Sequence, residues 1–75
     1  MDVVRGLYKI TPILSERQLQ ILQLASHGFT HKNIGLQLGI TEHSVNDHMY
    51  RIRGILGVNT TAQALVKCYK GGLIK

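Results

Sequence analysis

Two helix start signals lie close together in the middle of this chain, with a glycine between them. Thr30 and Thr41 each precede an apolar stretch with helical spacing, as N-cap residues do, and Gly39 has the position of a helix-ending residue. A connection this short does not allow two helices to lie antiparallel, so the helices must cross steeply. Gly35 has no side chain and suits their close approach. The pattern therefore predicts a helix-turn-helix.

The other start signals complete an all-α fold of four helices. Ser15 begins a capping box with Gln18, and Thr60 begins a second one with Gln63. No stretch alternates between apolar and polar residues as a half-buried strand would. We expect an N-terminal arm or linker over residues 1–13 and the helical domain over residues 14–75.

The third helix, expected over about residues 42–56, has two chemically different sides. At about 100° per residue, its apolar side carries Val45, His48, Met49, Ile52, Ile55 and Leu56. The opposite side carries His43, Asp47, Tyr50 and Gly54, with Asn46, Arg51 and Arg53 beside them. One side faces the core, and the other has the hydrogen-bonding groups and cations of a helix that lies in a nucleic-acid groove. We expect His48 to make a structural hydrogen bond.

The composition favours a polyanionic partner and a reducing compartment. Nine Lys and Arg against four Asp and Glu give the 75 residues a net charge of +5, which is typical of nucleic-acid-binding domains. The single cysteine, Cys68, excludes an internal disulfide and occupies a helical core position, where a small buried residue is expected. With neither a membrane span nor a signal peptide in the sequence, we expect a cytoplasmic protein.

No pattern for catalysis, a cofactor or a metal is present in the sequence. His43 and His48 face different sides of one helix, and there is no Cys-x-x-Cys pair. Ser15, His27 and Asp47 are too scattered to suggest a triad, and no glycine-rich phosphate loop follows a strand. We therefore expect no enzyme, no cofactor and no metal site.

Many of these residues occur in the order and register of a known family. They are Leu14-Ser15-x-Arg17, Ile21-Leu22, Ala25, Gly28, Thr30-x-Lys32-x-Ile34, Leu38-Gly39-Ile40-Thr41, Ser44-Val45-x-x-His48, Ile52, Leu56-Gly57-Val58, Ala64-Leu65 and Gly72-Leu73-Ile74. The pattern resembles the LuxR/GerE-type helix-turn-helix domain, over about residues 14–74 without an insertion. The resemblance implies a DNA-binding domain of bacterial transcription regulators, in which the third helix enters the major groove and the fourth often pairs two copies.

The resemblance and the helix faces together give three groups of candidate residues. Base contacts are expected from His43, Asn46, Asp47 and Tyr50. Phosphate contacts are expected from Thr30, Lys32, Ser44, Arg51 and Arg53. A homodimer contact is expected from Thr61, Ala62, Val66 and Tyr69 on the last helix. The expected partners are thus double-stranded DNA and a second copy of the chain.

Departures from the family pattern leave a second hypothesis open. The family usually has cations where this chain has Asn46, Ile55 and Thr61, and Asp47 adds a negative charge to the polar side of the third helix. The alternative is a free-standing module without a signal-receiving domain. It would bind another transcription regulator through its apolar last helix and block it without binding DNA. A third possibility is coating of RNA or DNA without sequence preference, which predicts a strong salt dependence.

Overall fold

The computed structural model describes residues 14–75, so the arm or linker expected for residues 1–13 lies outside the described residues. Four helices follow one another: α1 (Glu16–Ser26), α2 (His31–Leu38), α3 (Glu42–Leu56) and α4 (Thr61–Lys70). Residues 14–75 contain no strand. The predicted all-α class with four helices is confirmed.

Each helix begins directly after the N-cap residue that the sequence indicates. These residues are Ser15, Thr30, Thr41 and Thr60, and each side chain accepts a hydrogen bond from the backbone N–H three residues later. Both predicted capping boxes are closed, since Gln18 Oε1 and Gln63 Oε1 accept hydrogen bonds from the N–H groups of their cap residues at 2.9 and 3.1 Å. The helix starts are therefore fixed by local hydrogen bonds that do not depend on the tertiary fold.

All four helices and the C-terminal segment contribute to one apolar core. Its buried members are Leu14, Ile21, Leu22, Ile34, Val45, Met49, Ile52, Leu56, Ala64, Cys68 and Ile74. Ile55 was expected on the apolar side of α3, but it is 41% exposed. Its position lies about 100° around the helix from Leu56, which faces the core, so Ile55 lies at the rim. His48 is half-buried, and its Nδ1 atom has no hydrogen-bond partner within residues 14–75, so this atom does not make the expected bond.

The turn between α2 and α3 brings the two helices into backbone contact. Gly39 ends α2 in the left-handed conformation at φ 73°. The Ile40 N–H then donates to the Gly35 carbonyl at 2.9 Å. A Cβ at Gly35 would lie only 2.6 Å from the Ile40 carbonyl oxygen. Only glycine permits this approach, which confirms the role expected for Gly35 and fixes the position of α3 against α2.

Two hydrogen bonds join α3 to α4. Lys67 Nζ on α4 donates to the Leu56 carbonyl oxygen at 2.8 Å, where the C-terminal end of α3 carries partial negative charge. Arg53 Nη1 on α3 donates to Thr61 Oγ1 at 3.4 Å. With Gly35 beside its first turn and Lys67 at its last, α3 is positioned at both ends.

Candidate nucleic-acid interface

The polar side of α3 forms an exposed ridge. Its four residues recur at intervals of four, three and four positions, which places them along one line of the helix opposite the core: His43, Asp47, Tyr50 and Gly54. All four are exposed, and Tyr50 is 72% exposed. Asn46 is also exposed, beside this line. One accessible face of α3 thus carries all the residues expected to contact bases, as the sequence predicts: His43, Asn46, Asp47 and Tyr50.

The side chains of this face interact with one another. His43 Nε2 and Asp47 Oδ2 are 3.5 Å apart, which pairs residues one helical turn apart when the imidazole is protonated. Asn46 Oδ1 accepts a hydrogen bond from His31 Nδ1, the first residue of α2, at 2.5 Å. That bond occupies one lone pair of the Asn46 amide oxygen, and among residues 14–75 no acceptor is bonded to the N–H groups of the amide.

His31 is a residue of this surface that the sequence reasoning missed. Spacing within one helix does not indicate contacts to another helix, and His31 reaches Asn46 because the start of α2 packs against α3. The N-cap at Thr30 was the available signal, since it places the next residue in the first turn of α2.

Cationic and small polar side chains lie around the ridge. Arg51 and Lys32 are exposed, whereas Arg53 is half-buried and directed to Thr61 by their hydrogen bond. Thr30 and Ser44 belong to the first turns of α2 and α3, where backbone N–H groups attract anions. The Thr30 hydroxyl oxygen accepts a hydrogen bond from the helix backbone, and its own hydrogen has no acceptor among the described residues.

A cleft of about 360 Å³ opens beside the C-terminal half of the ridge. Its lining residues are Tyr50, Arg51, Arg53, Gly54, Val58 and Asn59. None of these six is acidic, and two carry a permanent positive charge, so the cleft attracts anions. The hydrogen bond from Lys67 to the end of α3 strengthens this property, because it offsets the negative end of the helix dipole close by.

A second, apolar surface lies on α4. Val66 and Tyr69 are 52% and 66% exposed, and apolar hollows of about 410 and 390 Å³ flank Val66. Ala62 is exposed and lines one of these hollows, whereas Thr61 is half-buried and hydrogen-bonded to Arg53. Three of the four expected dimer residues are therefore available to a partner, and the fourth lies at the junction with α3.

Residues 14–75 offer no group of three His, Cys, Asp or Glu side chains able to hold a metal ion. None of their helices combines the length and apolar character of a membrane span. Cys68 is buried, as expected, and burial raises the pKa of its thiol, an effect that the nearby charge of Lys67 partly opposes. A thiol of this kind is protonated at neutral pH and is a poor nucleophile.

Comparisons with known proteins agree with this geometry. The family model described as "Bacterial regulatory proteins, luxR family" matches residues 12–68. The solved structure of the transcription factor GerE superposes with a TM-score of 0.81 at 30% sequence identity, covering 84% of this chain and 94% of that one.

Longer regulators match over most of this chain. The transcriptional regulatory protein DegU of Brevibacillus brevis is 36% identical over 63 residues, which is 84% of this chain and 27% of DegU. LiaR of Bacillus subtilis (strain 168) is 38% identical over 61 residues, covering 81% and 29%. The regulator AlkS of Pseudomonas putida is 30% identical over 66 residues, covering 88% and 8%. The chain thus spans less than a third of each of these curated relatives.

Proposed function

The chain belongs to the luxR family of bacterial regulatory proteins, and we propose that it reads a specific DNA sequence with α3 in the major groove. The family consists of DNA-binding transcription regulators, which is not an enzyme class. The observation that carries the proposal is the exposed polar ridge of α3, which lies opposite the buried apolar side and between two arginines. The proposal locates the protein in the cytoplasm, where bacterial DNA lies.

Base recognition is assigned to the ridge and to Asn46. The amide of Asn46 suits adenine, which presents one acceptor and one donor in the major groove, and the Asp47 carboxylate suits the amino group of cytosine. Tyr50 adds a hydroxyl and an apolar ring, and His43 lies in the first turn, which usually enters the groove. These groups favour certain base pairs and add little general attraction to DNA.

Phosphate contacts supply that attraction. Arg51 and Arg53 lie beside the ridge, as expected for contacts with the phosphates that border a groove-bound helix. The proposed phosphate contacts continue toward the starts of α2 and α3, through Lys32, Thr30 and Ser44. Each cationic contact adds about 0.9 to the salt dependence of binding, expressed as the slope of log K against log salt concentration.

Two copies of the chain would pair through the exposed apolar surface of α4. Burial of Val66, Tyr69 and Ala62 against a second copy removes apolar area from water, and Thr61 lies at the edge of that contact. The pairing would place two α3 helices about one turn of DNA apart, roughly 34 Å. Val66→Glu should abolish the dimer on DNA in analytical ultracentrifugation and leave the helical circular dichroism unchanged.

The first experiment is a pull-down of genomic fragments with the purified protein at physiological salt, with unrelated DNA as competitor. We expect enrichment of a shared sequence motif, and we expect Tyr50→Ala or Arg51→Ala to remove it. Gln20→Ala, an exposed change on α1, is the matched control and should retain the enrichment. If the folded protein enriches no motif, sequence-specific DNA binding is refuted.

A second candidate function rests on the exposed apolar surface of α4 and on the pairing within the α3 face. In this alternative, the module binds another transcription regulator through α4 and blocks it without binding DNA. Asp47→Ala would then leave function intact, whereas a charge at Val66 would abolish it. Under the DNA proposal, Asp47→Ala instead changes the base preference. Comparing the two variants in one reporter assay separates the candidates.

A further inference from the structure

The exposed ridge of α3 ends in a residue without a side chain. Gly54 lies within the helix, on the same line as His43, Asp47 and Tyr50. A Cβ at this position would meet no atom of residues 14–75 within 4 Å, unlike a Cβ at Gly35. The backbone of Gly54 is also not in the left-handed region that favours glycine. Nothing within residues 14–75 requires glycine here.

A glycine at such a position weakens the helix that contains it. Glycine is, after proline, the residue least favourable to a helix interior, and alanine is the most favourable. Gly54 thus lowers the stability of α3 without permitting a turn or a close contact in the fold. A glycine of this kind is useful where another molecule approaches the backbone closely.

The surroundings of Gly54 indicate an anion. The residue lines the cleft beside the ridge, where Arg51 and Arg53 provide positive charge and Asn59 provides amide donors. Gly54 lies inside α3, where the backbone N–H groups are already used within the helix. An anion at Gly54 would therefore be attracted by the two guanidinium groups. The attraction would be stronger than if a side chain held the anion farther away, since the attraction between charges rises as their separation falls.

The position along α3 identifies the source of the anion. Gly54 lies about 16 Å along the helix axis from His43, at about 1.5 Å per residue. The major groove is only about 12 Å wide. When the first turns of α3 face base edges and the helix crosses the groove, Gly54 therefore meets the sugar-phosphate wall.

We propose that Gly54 admits a phosphodiester group of the DNA to the bare backbone of α3 between Arg51 and Arg53. The inference rests on the proposed DNA-binding function and adds to it the point where one strand is held. Gly54 acts by leaving space, and the two arginines supply the attraction. Any side chain at this position would hold the phosphate away from both guanidinium groups.

The test compares Gly54→Ala and Gly54→Leu with the wild-type protein in two measurements. Thermal unfolding followed by circular dichroism should show a melting temperature about 4–8 °C higher for Gly54→Ala. Fluorescence anisotropy, with a labelled duplex carrying the motif enriched in the pull-down, should show about tenfold weaker binding, as expected for a lost charge-assisted contact. Gly54→Leu should lose more, and Gln20→Ala should bind as the wild type does.

A scan of the duplex then identifies the phosphate. Single phosphates are replaced one at a time by uncharged methylphosphonates. At one backbone position per half-site the wild type should lose about tenfold in affinity, while Gly54→Ala loses nothing further there. Losses that are the same for both proteins at every position would overturn the proposal, because Gly54 would then act on something other than a phosphate.

The remaining outcomes separate this proposal from the one on which it rests. Equal DNA affinity for Gly54→Ala and the wild type would overturn the role of Gly54 and leave sequence-specific DNA binding intact. A wild-type protein that is folded but binds no duplex would refute both. Opposite shifts in melting temperature and affinity support the proposal, since a folding defect would lower both.

Discussion

Replacement of Gly35 by alanine should destabilise the domain, although alanine is the better helix former. The added Cβ would lie 2.6 Å from the Ile40 carbonyl oxygen, 3.2 Å from the Thr41 carbonyl carbon and 3.3 Å from the Glu42 nitrogen. The first distance is roughly 0.7 Å shorter than the ~3.3 Å of a close carbon–oxygen contact. All three neighbours are backbone atoms, so no side chain can rotate away and the α2–α3 turn must move.

The net effect follows from two opposing terms. Overpacking typically costs about 1–3 kcal/mol, and contacts with backbone on one whole side of the methyl group place this case near the upper figure. The gain in helix propensity offsets about 1 kcal/mol. A net loss of about 2 kcal/mol corresponds to a fall in melting temperature of roughly 8–16 °C for a domain of this size.

Thermal unfolding followed at 222 nm measures this shift, and Gly54→Ala provides the matched control. Both variants make the same substitution inside a helix, but in the described part of the chain the Cβ at Gly54 meets no atom within 4 Å. The control should therefore be stabilised by about 1 kcal/mol. If Gly35→Ala were as stable as the wild type, or if both variants shifted in the same direction, the steric argument for the helix-turn-helix would be refuted.

Three further predictions concern other contacts. Lys67→Met should lower the free energy of unfolding in urea by about 1 kcal/mol through loss of the bond to the end of α3, whereas Lys70→Met, a control on the same helix, should change it by less than about 0.5 kcal/mol. Because burial raises the pKa of the Cys68 thiol, the stability that this group contributes is fully present below the unfolded thiol pKa of about 8.5 and is lost as the pH rises above that value. Urea midpoints should therefore decline between about pH 7 and 10, and Cys68→Ala should remove the part of that decline that comes from the thiol. His31→Ala should alter the base preference at the same base pair as Asn46→Ala, and the two effects should be non-additive in a double-mutant cycle of DNA affinities. Additive effects would show that His31 does not orient the Asn46 amide.

The sequence was most informative where the structure depends on neighbouring residues. Ser15, Thr30, Thr41 and Thr60 were predicted as N-caps, and each begins its helix, because an N-cap acts on a backbone N–H only three positions away. The close approach of α2 and α3 at Gly35 was also predictable, since a short connection restricts the possible arrangements. Helical periodicity predicted most of the buried side of α3, because it too depends on residues that are close in the sequence.

Contacts between helices were much harder to predict from the sequence. Periodicity places Ile55 near the apolar side of α3, but only the packing of the other helices decides where the core ends, and Ile55 lies outside it. The bond between His31 and Asn46 depends on the crossing angle of two helices, and the one between Arg53 and Thr61 on the approach of α4 to α3. The proposed contacts with DNA and with a second copy stay predictions.

The division of α3 into a buried and an exposed side has an evolutionary consequence. Met49 and Ile52 are completely buried and maintain the fold, whereas His43, Asp47 and Tyr50 are exposed. Exchanges on an exposed helix surface usually change stability by less than about 0.5 kcal/mol. Under the proposed function, gene duplicates of this domain could therefore acquire new operator preferences one substitution at a time, with each intermediate still folding, so that specificity would diverge while the scaffold is retained.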